Sequence, residues 1–215
     1  MTPAVEDYLK KIFLLSTRGE DVTTGMLARE MHVSSPSVSA MVKRLVEGKL
    51  VLRTRTLCLT ERGEQEALRV VRRHRLLESF LFSVLDMPWD EVHEEAEKLE
   101  HALSDRLEAR IDAVLGHPTH DPHGDPIPGP DGRHDESWAQ PLATAPQGCR
   151  FEVQRVSDQR SDVLRYLGEC GLRPGTVIDV DELEPYGGPR WVRIDGERVP
   201  LSPLLVGLVH GRVLP

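Results

Sequence analysis

The stretch spanning residues 90–104 constrains the fold most, because it combines helical spacing with a stripe of metal-ligating side chains. At 3.6 residues per turn, Glu97, Glu100 and His101 fall on one face of a helix, and His93 lies one turn earlier. Like charges one turn apart repel each other, and a divalent cation would remove that repulsion. The pattern predicts a helix that packs by its apolar face and binds a metal ion by its polar face. A solvated acidic helix is the alternative interpretation.

Charge is distributed unevenly along the 215 residues. The formal net charge of -8 at pH 7 by itself disfavours a nucleic-acid partner. Residues 41–75, however, carry ten Lys or Arg and four acidic residues, whereas residues 76–112 carry eleven acidic and three basic ones. A basic module, suited to phosphate contacts, is therefore followed by an acidic one.

Several classes of protein are disfavoured by composition. No apolar run approaches the roughly 18 residues that span a bilayer, and the amino-terminal residues lack a secretory signal, so we expect a cytoplasmic protein without membrane partners. Cys58, Cys149 and Cys170 are odd in number and far apart. Their spacing argues against both a disulfide framework and a thiolate zinc site.

Residues 4–47 predict three helices, of which the last two form a helix-turn-helix motif. The first covers residues 4–18, and the second starts at a cap supplied by Thr23 or Thr24. The third runs to Glu47, with Ser34 or Ser35 as its cap and a proline in its first turn. Small hydroxyl side chains on such a second helix permit a close approach to base edges.

Residues 50–60 alternate well enough for two short strands with a basic tip, which is typical of the wing of a winged helix. The alternative is a helical domain whose surface hairpin contacts a protein. The predicted DNA-binding residues are Ser34, Ser35, Pro36, Ser37, Ser39, Lys43, Arg44, Arg53 and Arg55.

Two further helices are predicted, over residues 60–85 and 90–115. The first carries His74 and Glu78 one turn apart, a pair able to share one ion, and antiparallel packing would bring that pair near His93. Apolar residues including Phe80, Phe82, Leu85 and Trp89 exceed what a helical hairpin can bury, which favours a homodimer.

Residues 116–148 are rich in Pro, Gly, His and Asp and predict an irregular segment. Beyond them, short alternating runs predict strands over 149–156, 176–183, 190–194, 197–201 and 206–213, with a helix over 158–170, as in a five-stranded SH3-like barrel. The expected fold class is mainly α with small β parts. The expected domains are a winged helix-turn-helix (1–63), a helical dimerisation and metal-binding domain (64–146) and the SH3-like domain (147–215).

Six motifs, taken in order, resemble the diphtheria toxin repressor family of metal-dependent transcriptional regulators. They cover essentially the whole chain: Glu6–Leu9, Ser34–Ser39, Leu59–Gly63, Arg73–Glu78, Val92–His101 and Pro122–Pro128. The resemblance implies a metal-loaded homodimer that binds a palindromic operator in double-stranded DNA and represses manganese or iron uptake genes.

The resemblance also implies two metal sites. It places the primary site on Asp7, Glu97, Glu100 and His101, and the ancillary site on His74, Glu78 and His93. The SH3-like domain of such proteins adds two oxygen ligands, and the corresponding positions fall near Arg155 and Asp158 in this chain, with Gln159 and Asp162 as neighbours. An arginine cannot be a ligand, so the expected ligands are Asp158, Gln159 and Asp162.

The identity of the ion is indicated by two positions. Iron-responding members of the family resemble this chain but carry Met and Cys where Asp7 and Glu97 stand. Carboxylates at both positions favour Mn(II) as the bound ion. Fe(II) is a second candidate, and other divalent transition metals are expected to bind in vitro. A Glu that completes a two-metal cluster in some manganese-responding members corresponds here to Lys10, a departure from that pattern.

Two other functional classes compete with this interpretation. A metallohydrolase motif starting at His93 would need a second His where Glu97 stands, and no substrate cleft or nucleophile is indicated, so we expect neither an enzyme nor a small organic substrate. A metal-independent winged-helix adaptor that binds protein is the other alternative.

Overall fold

The computed structural model describes residues 1–135, 139–157 and 160–215. These residues form two compact units: the first contains Met1–His74, Glu100–Ser104 and Pro128–Asp135, and the second contains the rest of the described chain. No helix in the described residues is long and apolar enough to cross a membrane.

The first unit begins with three helices, as expected, and the structure settles which residues cap them. Helix α1 covers Pro3–Thr17, α2 covers Thr24–Glu30 and α3 covers Ser35–Glu47. The side chain of Thr23 accepts a hydrogen bond from the backbone N–H of Met26, and that of Ser34 accepts one from Ser37. These bonds satisfy amide groups that the first helical turn leaves without partners.

A short antiparallel hairpin follows, with β1 over Val51–Arg53 and β2 over Leu57–Leu59. Helix α4, Glu61–Leu85, starts directly after it. Gly63 in the first turn of α4 approaches the backbone of Leu50 so closely that an added Cβ would lie 2.0 Å from the Leu50 carbonyl oxygen. Only a glycine allows the wing and α4 to pack in this way. The winged helix-turn-helix prediction is confirmed.

The prediction of one continuous helix over residues 90–115 is wrong. The structure has α5 over Val92–Leu99 and α6 over Asp105–Val114. Residues 100–104 between them belong to the first compact unit, where Glu100 is buried among polar partners. Apolar residues keep a helical spacing across the interruption, so periodicity alone does not reveal it. Asp105 and Glu108 favour a new helix start, because acidic groups stabilise a helix N-terminus.

The second unit contains an antiparallel sheet with strand order β3-β8-β4-β5-β6-β7 in the described residues. Its elements are β3 (Gln140–Pro141), β4 (Arg150–Val156), α7 (Ser161–Glu169), β5 (Val177–Leu183), β6 (Arg190–Ile194), β7 (Glu197–Leu201), α8 (Pro203–Leu208) and β8 (Val209–Val213). The hydrophobic core of this unit includes Phe151, Leu164, Leu167, Ile178 and Trp89. The mainly α fold with a small C-terminal strand domain is confirmed.

Two details of that domain differ from the prediction. The expected strand over residues 206–213 starts at Val209, because Ser202 caps α8 by accepting a hydrogen bond from the N–H of Leu205. The described sheet also has six strands rather than five, since the two-residue strand β3 pairs with β8. A strand of two residues is too short to show an alternation of apolar and polar residues, so its sequence does not predict it.

Candidate metal centres and nucleic-acid interface

Asp7, Glu100 and His101 come together in the first compact unit, although the first two lie 93 positions apart in the sequence. Each offers one ligand atom, and these atoms lie within 4.8 Å of one another. His101 Nε2 is 2.8 Å from Asp7 Oδ1 and 3.6 Å from Glu100 Oε1. We call these three residues the primary cluster. Two carboxylates and an imidazole suit a divalent transition metal such as Mn(II) or Fe(II).

The other ring nitrogen of His101 faces Glu6, a residue that the sequence analysis missed. His101 Nδ1 lies 2.7 Å from Glu6 Oε2. Burial lowers the pKa of His101, but the hydrogen bond to Glu6 and the charges of Asp7 and Glu100 outweigh burial, so the pKa is raised. Burial also raises the pKa of Asp7. A ligating histidine commonly donates its second N–H to a carboxylate, and Glu6, next to Asp7 in α1, fills that role.

Both carboxylate oxygens of Glu100 have further partners in the same unit. Lys10 Nζ lies 2.6 Å from Oε1, and His74 Nδ1 lies 2.5 Å from Oε2. Glu100 is 1% exposed and Lys10 is 6% exposed. Burial raises the pKa of Glu100, but His74 and Lys10 outweigh it and the pKa is lowered. The structure thus places His74, predicted for the ancillary site, against Glu100.

Glu97 lies on α5 in the second unit. Its side chain is 55% exposed, and its Oε1 is 3.9 Å from Nε2 of His93. His93 Nδ1 in turn lies 2.9 Å from Oε1 of Glu78. The second unit therefore brings together Glu78 and His93 of the predicted ancillary site, with Glu97 beside His93.

The buried cluster of Glu78, Asp121 and His123 is not among the predicted sites, because the histidines and acidic residues of residues 116–148 show neither helical nor strand spacing. The ligand atoms of these three residues lie within 4.8 Å of one another. His123 Nε2 donates to the backbone oxygen of Trp89 at 2.8 Å, and its Nδ1 lies 3.9 Å from Glu78 Oε2. Burial lowers the pKa of His123, but Glu78 and Asp121 outweigh it and raise the pKa to about 10.

Asp121 is held by the turn that follows it. Its Oδ1 accepts hydrogen bonds from the backbone N–H groups of His123 and Asp125, while its buried Oδ2 has no hydrogen-bond partner in the described structure. Burial, together with the charges of Asp125 and Glu78, raises the pKa of Asp121 well above its usual range. A carboxylate oxygen in this position is suited to a cation. The Asp-Pro-His-Gly-Asp run was the available sequence signal.

The predicted ligands from the SH3-like domain are only partly described. Asp158 and Gln159 lie outside the described residues. Asp162 is exposed in the first turn of α7.

The predicted nucleic-acid surface lies wholly on the first unit. Val38, Val42 and Leu45 bury one face of α3 in the core of that unit. All nine predicted DNA-binding residues are exposed: Ser34, Ser35, Pro36, Ser37, Ser39, Lys43 and Arg44 in and before α3, and Arg53 and Arg55 in the hairpin. Small hydroxyls on the helix and cations beside it suit base edges and phosphates, respectively.

Comparison with known proteins decides the family. The Iron dependent repressor family models match residues 1–54 (N-terminal DNA binding domain) and 60–129 (metal binding and dimerisation domain), and the FeoA domain model matches residues 140–209. The iron-dependent repressor IdeR of Mycobacterium tuberculosis is 34% identical over 202 residues, which cover 87% of each chain. The chain belongs to the diphtheria toxin repressor family of iron-dependent repressors.

Other members of the family extend this likeness. The diphtheria toxin repressor of Corynebacterium diphtheriae is 35% identical over 84% of this chain and 85% of its own. A solved structure described as a manganese-dependent transcriptional repressor complex with manganese is 41% identical, with a TM-score of 0.91 over 98% of this chain and 100% of the other. This family member thus has the domain composition of a metal-dependent transcriptional repressor, and its relatives are repressors rather than enzymes.

Proposed function

We propose that this chain is a Mn(II)-activated repressor that binds a palindromic operator as a homodimer, and that Fe(II) can replace Mn(II). The observation that carries the proposal is the primary cluster. Its donors are two carboxylates and an imidazole, without the sulfur ligands that favour softer metals. The likeness to a manganese-dependent repressor supports the same ion.

Asp7, Glu100 and His101 would hold the primary ion, with Glu97 proposed as a fourth ligand on the family resemblance. The bound ion supplies positive charge that offsets the repulsion between Asp7 and Glu100. Glu6 keeps His101 oriented through Nδ1, so that Nε2 points at Asp7.

Control of DNA binding then follows from where helix α1 packs. Leu9 and Ile12 of α1 are fully buried in the same core as Val42 of α3. When Asp7 is held against residues 100–104, α1 is fixed, and α3 is fixed through this shared core. The ion needs to favour this arrangement by only about 1–3 kcal/mol to act as an effective switch.

A second ion is proposed at the buried cluster of Glu78, Asp121 and His123, with His93 beside Glu78. The unpartnered Oδ2 of Asp121 supports this assignment, because a buried carboxylate oxygen without a partner is costly. Asp158, Gln159 and Asp162 remain predictions as additional oxygen ligands.

The dimer is proposed to form through an exposed apolar face of the second unit, which we call the dimer face: Phe82, Val84, Leu85 and Val114. Phe82, Val84 and Val114 line one surface depression, and exposed groups of apolar residues mark interaction sites. A two-fold symmetric dimer would present two copies of α3 to successive major grooves, about 34 Å apart, which requires a palindromic operator.

The test is an operator-binding titration with Mn(II), Fe(II), Zn(II) or EDTA at a fixed salt concentration, on DNA selected from a random-sequence pool. Mn(II) should support binding, and Asp7→Ala or Glu97→Ala should abolish the Mn(II) dependence while leaving the dimer intact. Glu94→Ala, an exposed change on α5, is the control. Activation by Fe(II) alone would reject the manganese preference, and equal binding in EDTA would favour the metal-independent adaptor.

A further inference from the structure

Within the second unit, the SH3-like domain lies against a short turn that precedes it in the chain. We call residues Asp121–Asp125 the docking turn. The N–H of Val156 on β4 donates a hydrogen bond to the carbonyl oxygen of His123, at 2.9 Å. Gly124 lies so close to the same strand that an added Cβ would be 1.9 Å from the carbonyl oxygen of Gln154. The backbone of the docking turn is therefore in direct contact with the backbone of β4.

Asp125 places a carboxylate between two buried cations. Its side chain pairs with Arg155 on β4, and its Oδ1 lies 3.7 Å from Nη2 of Arg75 on α4. Both arginines are buried. A buried guanidinium is costly unless an opposite charge lies beside it. This one carboxylate therefore connects a charge on α4 with a charge on the SH3-like domain.

Trp89, in the loop between α4 and α5, forms a second attachment. The residue is buried and belongs to the hydrophobic core that Leu164 and Leu167 of α7 help to form. An added Cβ on Gly168 would meet Nε1 of Trp89 at 2.7 Å, and the guanidinium of Arg173 lies 5.2 Å from the centre of the Trp89 ring. Buried aromatic anchors of this kind stabilise an interface strongly.

Every group in these attachments belongs to the chain itself. They consist of a carboxylate shared by two guanidiniums, a backbone hydrogen bond and apolar packing. Because two positive charges already compensate Asp125, a divalent cation is not needed to hold that carboxylate in place.

We propose that Asp125 is a positioning residue that docks the SH3-like domain on α4, and that this docking does not require a metal ion. The docking turn also carries Asp121 and His123, so the buried cluster with Glu78 is in place before an ion arrives. Such preorganisation lowers the cost of binding. Only this consequence for metal binding rests on the proposed function, because it takes the buried cluster as the second metal site.

Amide hydrogen exchange, followed by NMR in the full-length chain with EDTA, tests the docking directly. The N–H of Val156 reports docking, because its acceptor is the carbonyl oxygen of His123. The N–H of Val180 reports folding of the SH3-like domain, because its acceptor is the carbonyl oxygen of Cys149 in the same domain, at 2.9 Å. In the metal-free wild type, both amides should be strongly protected.

Asp125→Asn should accelerate the exchange of Val156 at least about tenfold and leave that of Val180 unchanged. The substitution keeps the size of the side chain but leaves the guanidiniums of Arg75 and Arg155 buried without their shared carboxylate. A second substitution, Arg155→Met, removes one of those two charges. The double variant should therefore recover most of the protection of Val156.

Asp181→Asn is the matched control. Asp181 also lies between two guanidiniums, 3.1 Å from that of Arg193 and 3.7 Å from that of Arg198. All three residues belong to the sheet of the SH3-like domain, so this change should leave the exchange of Val156 as it is in the wild type.

A titration with Mn(II), followed by the electron paramagnetic resonance signal of the free ion, tests the consequence for metal binding. The ion of interest is the one that Asp121→Ala removes. Asp125→Asn should weaken its binding about tenfold. The double variant with Arg155→Met has the same net charge as the wild type and should restore the affinity.

The possible results separate docking from metal binding. The proposal is overturned if Val156 exchanges rapidly in the metal-free wild type and only Mn(II) slows it, because an ion would then dock the domain. Unchanged exchange of Val156 in Asp125→Asn, or faster exchange of both amides without recovery in the double variant, would overturn it as well. If Asp121→Ala removes no ion, the proposed second metal site fails, while the exchange rates still decide the role of Asp125.

Discussion

His101 is the residue at which protons and the proposed metal ion would compete most directly. Both of its ring nitrogens face carboxylates, Nδ1 towards Glu6 and Nε2 towards Asp7. Its raised pKa means that the metal-free imidazole gains stability from being charged. That stabilisation is fully present below about pH 6.5 and is lost as the pH rises through the raised pKa. A metal ion needs the neutral ring, so it has to displace the Nε2 proton.

We therefore predict that Mn(II) affinity increases as the pH rises through the pKa of His101, with release of a proton. Isothermal titration in buffers of different ionisation enthalpy measures the proton count. Glu6→Gln keeps a hydrogen-bond acceptor but removes a charge, so the pKa should fall and the midpoint of the pH dependence should move to lower pH. Glu94→Gln is the control. A proton count that does not vary with pH would contradict this prediction.

Contacts between residues that lie far apart in the sequence explain why the site was only partly predictable. Asp7, Glu97, Glu100 and His101 were named from the family resemblance, and the structure brings three of these together. The resemblance also puts Lys10 at this cluster, but Glu6 and the contact of His74 with Glu100 could not be placed there, because their partners lie 95 and 26 residues away. Neither helical nor strand periodicity carries information over such separations.

At the scale of elements, local signals predicted most boundaries. Caps and alternation placed α1, α2, α3 and the hairpin to within a few residues, and β6 and β7 without error. The interruption at residues 100–104 was missed, since the buried bonds of Glu100, rather than a proline or glycine, redirect the chain there. Tertiary burial overrides helical periodicity at that point, within the segment that we propose supplies metal ligands.

The contact between α4 and the wing gives an element-scale prediction. An alanine is normally favoured over a glycine in a helix by up to about 1 kcal/mol. Gly63→Ala should nevertheless destabilise the chain by about 1–3 kcal/mol, because its Cβ would meet the backbone of Leu50. Chemical denaturation measures the change. Gly25→Ala in α2 is the matched control, since its Cβ would meet only the Thr23 hydroxyl at 4.0 Å and should not destabilise. Equal stability of the two variants would show that the backbone at Leu50 shifts at little cost to accommodate the added Cβ.

At the scale of the whole molecule, operator affinity and metal binding should be separable by breaking the dimer. Val114 is 67% exposed on the dimer face. In Val114→Lys, each chain would bring a charge into the proposed apolar interface, so the chain should become monomeric in sedimentation velocity. A monomer engages a single half-site and should lose operator affinity by at least about a hundredfold, because the second half-site no longer binds intramolecularly.

The number of Mn(II) ions bound per chain should stay the same in that variant, because the primary cluster lies within the first compact unit of one chain. Leu204→Lys is the control: Leu204 is 60% exposed in α8, outside the dimer face, and its substitution should leave the dimer intact. If the Val114→Lys chain stays dimeric, the dimer forms through a surface other than the dimer face. A monomer that loses its metal as well would mean that the metal site is completed only in the dimer.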